Sequence, residues 1–337
     1  MALFPLISCA LTLSGGVWAM SATKAVVLFG DSYTDQSRGD SIANGTFPGK
    51  DYTARRFFHR YEHDAINARM RTEFIQFHCQ EDNAADVITV PLICEHMSVT
   101  RSGIKPRRTP QAKNVPDVLG GQTDWFIQDH VVSGSTKQRL SIDPDEFVVI
   151  IYIGTNDVGR KTFITDSQSP NVSLADIAHC QLHALRRLHA LGARHFILNS
   201  MIPLQLTKLY SNSSDPSIYS PTPHDGPTWH RRMFNFRRRG SARGVGHSAT
   251  VHMFDTYGFF EEMYNHPGQF FNGSIPANVT GHCNQCNPNN ATQCTSCPRA
   301  ERDSFMWWDE LHPSEQTGRN LGREMFEALR RHSKYLS

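Results

Sequence analysis

The chain lacks a second long apolar run. Beyond its first residues, no stretch of the 337 reaches the ~18 consecutive apolar positions that a membrane helix needs. It also lacks a charge excess. Its 34 Lys and Arg stand against 32 Asp and Glu, for a formal net charge of +2. That balance excludes a protein built over its whole surface to coat nucleic acid or an anionic membrane. Internal repeats and long low-complexity tracts are absent too. What is present is globular composition: 39% hydrophobic and 20% charged residues rule out a disordered chain. The length allows a large core, so no metal or cross-link is needed merely to fold. With 17 His, the net charge rises below pH ~6.5, the ordinary histidine pKa.

The opening run, Leu3 to Leu13, is mostly apolar, is broken by Gly15-Gly16, and is followed by the small-residue pattern Val17-Trp18-Ala19. It is too short to span a bilayer and is read as a removed signal peptide over residues 1–19; a first core strand or helix is the alternative. Six N-x-S/T triplets point the same way: Asn44, Asn171, Asn212, Asn272, Asn278 and Asn290 are expected to carry glycans. Cys9 leaves with the leader. Of the remaining seven cysteines, Cys283, Cys286, Cys294 and Cys297 form C-x2-C-x7-C-x2-C. In a cytosolic chain this spacing would suggest zinc; in a secreted one, oxidising conditions favour two local disulfides. Seven is odd, so one thiol is left over or pairs between chains.

Lys24 to Gly30 and Glu146 to Asp157 hold short apolar, β-branched runs that end in glycine-containing turns, the pattern of buried parallel strands. Leu174 to Leu191 carries Leu174, Ile177, Ala178, Leu182, Leu185 and Leu188 at helical spacing and stops at Gly192. Further strands are expected at His195 and at Thr250, and a closing helix after an N-cap at Ser314. Alternation of this kind predicts an α/β fold, a parallel sheet covered on both faces, with the active site at the carboxyl ends of its strands. Two segments read differently. Residues 52–108 are polar and aperiodic. Residues 229–247 hold Arg231, Arg232, Arg237, Arg238, Arg239 and Arg243, read as a solvated surface in preference to a nucleic-acid site.

Three short blocks carry chemistry. Gly30-Asp31-Ser32-Tyr33 sets a serine at a strand-to-helix turn, where its hydroxyl can stand at the open end of the sheet; the plainer role is an N-cap. Gly154-Thr155-Asn156-Asp157 ends the second strand, and the Asn156 amide could donate to an oxyanion; the plainer role is turn formation. Asp309-Glu310-Leu311-His312-Pro313 puts a carboxylate and an imidazole three residues apart, on one side of a turn. The carboxylate can then hold the ring in one tautomer while its other nitrogen takes a proton from a serine.

In type and order these blocks resemble the SGNH hydrolases, also called the GDSL esterase family. The flanking stretches FGDSYTD, MIPLQ, MFDTYG, FNGSIPANVTG and MWWDELHPSEQTGRN look like secreted fungal acetylesterases that deacetylate hemicellulose sugars. The resemblance implies a single domain over residues 20–337: a three-layer α/β/α sandwich with a central parallel sheet, flavodoxin-like. It implies Ser32 as nucleophile, His312 as general base and acid, and Asp309 as the residue orienting it. Asn156 and the Ser32 backbone N–H would be oxyanion donors. The family's further glycine donor has no matching block here, and Gly103, in the lone Ser-Gly of residues 52–108, is the position assigned to it. No cofactor or metal is implied. The expected substrate is an acetylated oligosaccharide or another small ester, acted on by a monomer that neither binds nucleic acid nor spans a membrane. Trp307 and Trp308, just before Asp309, are either sugar-stacking platforms or packed rings that fix the turn. Residues 52–108 and 229–247 depart from the family pattern. The abrupt loss and return of resemblance is the trace a mis-spliced exon leaves, and the expected helix and strand of residues 52–108 are read as replaced. Other readings are a lipase or phospholipase of the same superfamily, and a catalytically impaired carbohydrate-binding glycoprotein.

Overall fold

The computed structural model describes residues 25–30, 33, 86–91, 122–133, 138–140, 143–155, 174–211, 249–287 and 290–337. The elements in chain order are β1 (Ala25–Gly30), β2 (Asp86–Pro91), α1 (Thr123–His130), β3 (Val131–Ser133), β4 (Gln138–Leu140), β5 (Phe147–Tyr152), α2 (Leu174–Ala190), β6 (His195–Asn199), α3 (Lys208–Ser211), β7 (Thr250–Phe254), α4 (Thr256–Asn265), β8 (Asn278–His282), β9 (Asn284–Asn287), β10 (Asn290–Ser296), β11 (Phe305–Trp307) and α5 (Glu315–Leu329).

Five strands form one wholly parallel sheet in the order β2-β1-β5-β6-β7. By rank along the chain that is 2-1-3-4-5, the flavodoxin-like doubly wound order. Its direction of growth reverses between β1 and β5, and the crevice at their carboxyl ends is where such sheets bind ligands.

The strands alternate strictly between two cores. Val26, Leu28, Val148, Ile150, Tyr152 and Ile197 face one layer, closed by Phe259, Phe260 and Met263 of α4 and by Leu321 and Met325 of α5. Val27, Phe29, Val149, Ile151, Phe196 and Leu198 face the other, closed by Phe126 of α1 and by Leu182, Leu185 and Leu188 of α2. Every residue of β5 and β6 is buried, as a sheet covered on both faces requires. This is the α/β/α sandwich the sequence led us to expect.

Local chemistry sets the boundaries. α2 stops two residues before Gly192, whose φ of +115° suits glycine and strains other residues. α5 begins after Ser314, whose hydroxyl accepts from Thr317 N at 3.1 Å. α4 is capped by Asp255, which accepts from Gly258 N at 3.1 Å; a Cβ on Gly258 would lie 2.7 Å from the cap carboxylate. The outer edge of β7 is covered by the last residues of the chain, with Met253 and Ser337 exchanging backbone hydrogen bonds of 2.9 Å each way.

One expectation is corrected. The polar segment 52–108 supplies a sheet strand after all. Within it, Asp86–Pro91 is β2, paired in parallel register with all of β1. The β-branched run Val87-Ile88-Thr89-Val90 was its signal. The remainder of that segment and all of 229–247 lie outside the described residues.

Beyond α4 the chain forms an irregular polar unit. β8 pairs with β11, and β9 with β10 as an antiparallel hairpin. Two nested disulfides, Cys283–Cys297 and Cys286–Cys294, staple it. Among the described residues no helix is long and apolar enough to cross a membrane.

Candidate active site

The best-defined part of the site is the turn that follows β11. Its backbone closes on itself, Trp308 N donating to His312 O at 2.8 Å, and Trp307 and Pro313 form an isolated antiparallel bridge. Inside the turn Asp309 Oδ1 accepts from Leu311 N at 2.8 Å and from His312 N at 2.7 Å. His312 Nδ1 lies 3.0 Å from Oδ1 and 2.9 Å from Oδ2 of the same carboxylate. Burial by itself would push the Asp309 carboxyl up. The hydrogen bond and charge of His312, with the two backbone donors, outweigh it and hold the group below its ordinary value. Asp309 is therefore an anion at neutral pH. A proton on Nδ1 then points at it, which leaves the lone pair of the neutral ring on Nε2.

Several layers of contact hold this turn. Trp307 is fully buried and donates its indole N–H to Val279 O at 2.8 Å. Trp308 is 6% exposed, packs with Cys283 and Phe305, and has the Arg302 guanidinium over its ring at 5.6 Å. Of the two roles weighed for these rings, packing is the one their surroundings support. The disulfide unit hangs directly on them: Cys283 N donates to Trp307 O at 3.1 Å and Asn284 N to Trp308 O at 2.6 Å. From another side, Leu209 N of α3 donates to Glu310 O at 2.8 Å.

The second part of the site is the end of β1. Ser32 lies outside the described residues, but the next residue, Tyr33, is placed. Its hydroxyl donates to Leu311 O at 3.2 Å, and its ring stands perpendicular to the His312 ring, 5.5 Å between centroids and 89° between planes. Tyr33 also approaches Tyr152 at the end of β5, 6.2 Å between ring centroids. The sequence reading gave Tyr33 no role. The only signal was its place in the Gly-Asp-Ser-Tyr block, since a bridge to residues some 280 positions on leaves no local mark.

The third part is the end of β5. Gly154 takes φ +129°, a conformation that favours glycine and accounts for the residue at this turn. Thr155 is buried. Asn156 lies outside the described residues, as do Gly103 and three of the sequons, Asn44, Asn171 and Asn212. Of the remaining sequons, Asn272 is exposed; Asn278 is half-buried, its Oδ1 accepting from Gly281 N at 2.7 Å; Asn290 opens β10.

The profile of the family "GDSL-like Lipase/Acylhydrolase" matches residues 26–325. The chain is also similar to a protein of Hypocrea jecorina named "Acetylesterase", at 24% identity over 93% of this chain and 90% of that one.

Proposed function

Since the chain belongs to the GDSL-like lipase/acylhydrolase family and is a carboxylic ester hydrolase, we propose that it is a secreted acetylesterase removing O-acetyl groups from hemicellulose-derived sugars through Ser32, His312 and Asp309. The observation that carries the catalytic assignment is the contact of Tyr33 with His312: the residue bonded to Ser32 stands on the imidazole that Asp309 orients. The acetylesterase similarity, at 24% identity, supports the acyl group.

In this reading Ser32 Oγ attacks the ester carbonyl carbon and passes its proton to His312 Nε2. The imidazolium is stabilised by the Asp309 anion. The Asn156 amide, the Ser32 backbone N–H and a third donor assigned to Gly103 hold the tetrahedral oxyanion. His312 returns the proton to the departing sugar oxygen, leaving an acetyl-serine. Water then gives a proton to Nε2 and its oxygen attacks the acetyl carbon. Acetate leaves as the proton returns to Oγ.

Residues 1–19 are proposed as the removed leader and 20–337 as one hydrolase domain. The two disulfides and the six sequons fit an oxidising, glycosylating export route. The test is hydrolysis of 4-nitrophenyl esters of increasing chain length and of acetylated xylo-oligosaccharides, beside Ser32→Ala. Acetate is expected to be the best acyl group, and the variant to lose about 10³-fold or more of the rate. Preference for long acyl chains would overturn the acetyl assignment, and an active Ser32→Ala the mechanism.

A further inference from the structure

In the sequence Ser32 follows β1 by two residues and Asn156 follows β5 by four, so the backbone at the end of each strand leads to one of them. At both places a buried glutamine meets the backbone. Gln122 Nε2 donates to Gly30 O, the last carbonyl of β1, at 3.1 Å. Gln181 Nε2 donates to Ile153 O, one residue past β5, at 2.8 Å. Both side chains are 0% exposed.

The two belong to one layer. Gln122 immediately precedes α1 and Gln181 lies within α2, the helices that cover the same sheet face. An ion pair between Arg187 and Asp124 ties α2 to α1, and Phe126 of α1 packs edge-on against Phe29 of β1 at 5.8 Å.

Neither glutamine is an economical way to fill a core. A buried amide must recover its lost hydration through hydrogen bonds. Gln181 recovers only part of it, because its Oε1 has no hydrogen-bond partner among the described residues. A methionine of similar length would fill the same space without that cost. What the amide adds is direction. A donor fixed on a helix and aimed at one carbonyl sets the plane of the peptide that begins the turn.

We propose that Gln122 and Gln181 are positioning residues for ester hydrolysis, a pair of amide clamps that fix where β1 and β5 stop and so aim the nucleophile and the oxyanion donor at one point. This rests on the roles given above to Ser32 and Asn156. Displacement of a reacting group by about 1 Å costs on the order of 10²-fold. A softened clamp gives part of that, so each Gln→Met variant is expected to lose about tenfold.

The experiment uses the secreted chain and a fluorophosphonate probe, in which the serine oxygen displaces fluoride. It reads two quantities: the fraction of chains labelled at completion and the rate at which labelling proceeds. Gln122→Met and Gln181→Met are expected to label to wild-type stoichiometry about tenfold more slowly. The kcat for 4-nitrophenyl acetate falls in parallel while KM stays within about threefold. Leu188→Ala, a fully buried residue of the same helix layer, is the control. It lowers Tm but keeps the wild-type rate per labelled site. If the methionine variants behave like Leu188→Ala, losing labelled chains but not rate, the clamps are merely structural and the proposal is overturned. Where a methionine variant does not accumulate, the Gln→Asn variant, whose amide stops one methylene short, is judged by the same criterion. A wild-type chain that neither labels nor hydrolyses would refute the role of Ser32 instead, a different result from either.

Discussion

Two regions meet at His312, and different physics holds each. The parallel sheet is stabilised by burial: β5 and β6 are buried at every position, and the sheet has an apolar layer on each face. The disulfide hairpin of β9 and β10 has little to bury. β9 is mostly exposed, and the apolar cluster beside the outer disulfide consists of Cys283, Phe305 and Trp308 with Cys297 against it. Here cross-links stand in for core, as they do in small domains whose apolar content is too low. Yet the poorer region is the one that contacts the Asp309–His312 turn. Trp308 lies between the outer disulfide and Asp309, so the cross-linked unit packs directly against the residue that leads into the Asp309–His312 turn.

The comparison breaks most sharply at a core position. Phe196 is 1% exposed, in the interior strand β6. Phe196→Ala is expected to cost about 3–5 kcal/mol, read as a fall in Tm, with both disulfides still formed. A loss under about 1 kcal/mol would mean that burial is not what holds the sheet. Next in size is the outer staple. Replacing Cys283 and Cys297 together by Ala opens a loop of 14 residues and is expected to cost about 3 kcal/mol. It should also lower kcat about tenfold through Trp308, since modest misplacement is catalytically expensive. The inner pair, Cys286 and Cys294, closes a loop of 8 on the exposed hairpin. Its removal should cost about 2–3 kcal/mol but leave kcat near wild type. Equal kcat losses for the two pairs would show that the outer bond has no special link to the turn.

The same contrast governs what the sequence discloses. β1, β5 and β6 are legible because a strand buried on both faces is a nearly continuous apolar run, and α2 and α5 because their periodicity ends at Gly192 and begins at Ser314. β2 leaves only a faint mark. Val87 to Val90 is a short β-branched run inside a polar stretch, and pairing with β1, distant in sequence, completes the strand. Two local disulfides are foreseeable from spacing, but their connectivity needs the hairpin. The β9–β10 register sets Cys286 opposite Cys294, and that leaves Cys283 to Cys297. The Asp309–His312 pair is local and visible in four consecutive residues. Tyr33 and the two glutamines act across the chain. For Gln181 a faint signal exists: it stands one turn from Ala178 and Leu185, a polar residue on the apolar stripe of α2.

The smallest expected effect concerns the turn itself and tests whether its charge or its cross-link holds it. Asp309 has its carboxyl below the ordinary value, so the folded chain binds that proton less readily than the unfolded one. Stability from this group is fully present above the ordinary carboxylate pKa of 3.8 and is lost as pH falls through the lower folded value. Asp309→Asn removes the titration. The difference in Tm between wild type and Asp309→Asn is therefore expected to persist from pH 5 to about 4 and to shrink below that. The side chain is 33% exposed, so solvent screens it, and the difference should stay below that of either disulfide. A gap that widens on acidification would reverse the sign assigned to Asp309. A gap of zero at pH 5, with kcat still collapsing in Asp309→Asn, would mean that Trp308 and its disulfide alone fix the turn and that the carboxylate serves only the proton on His312.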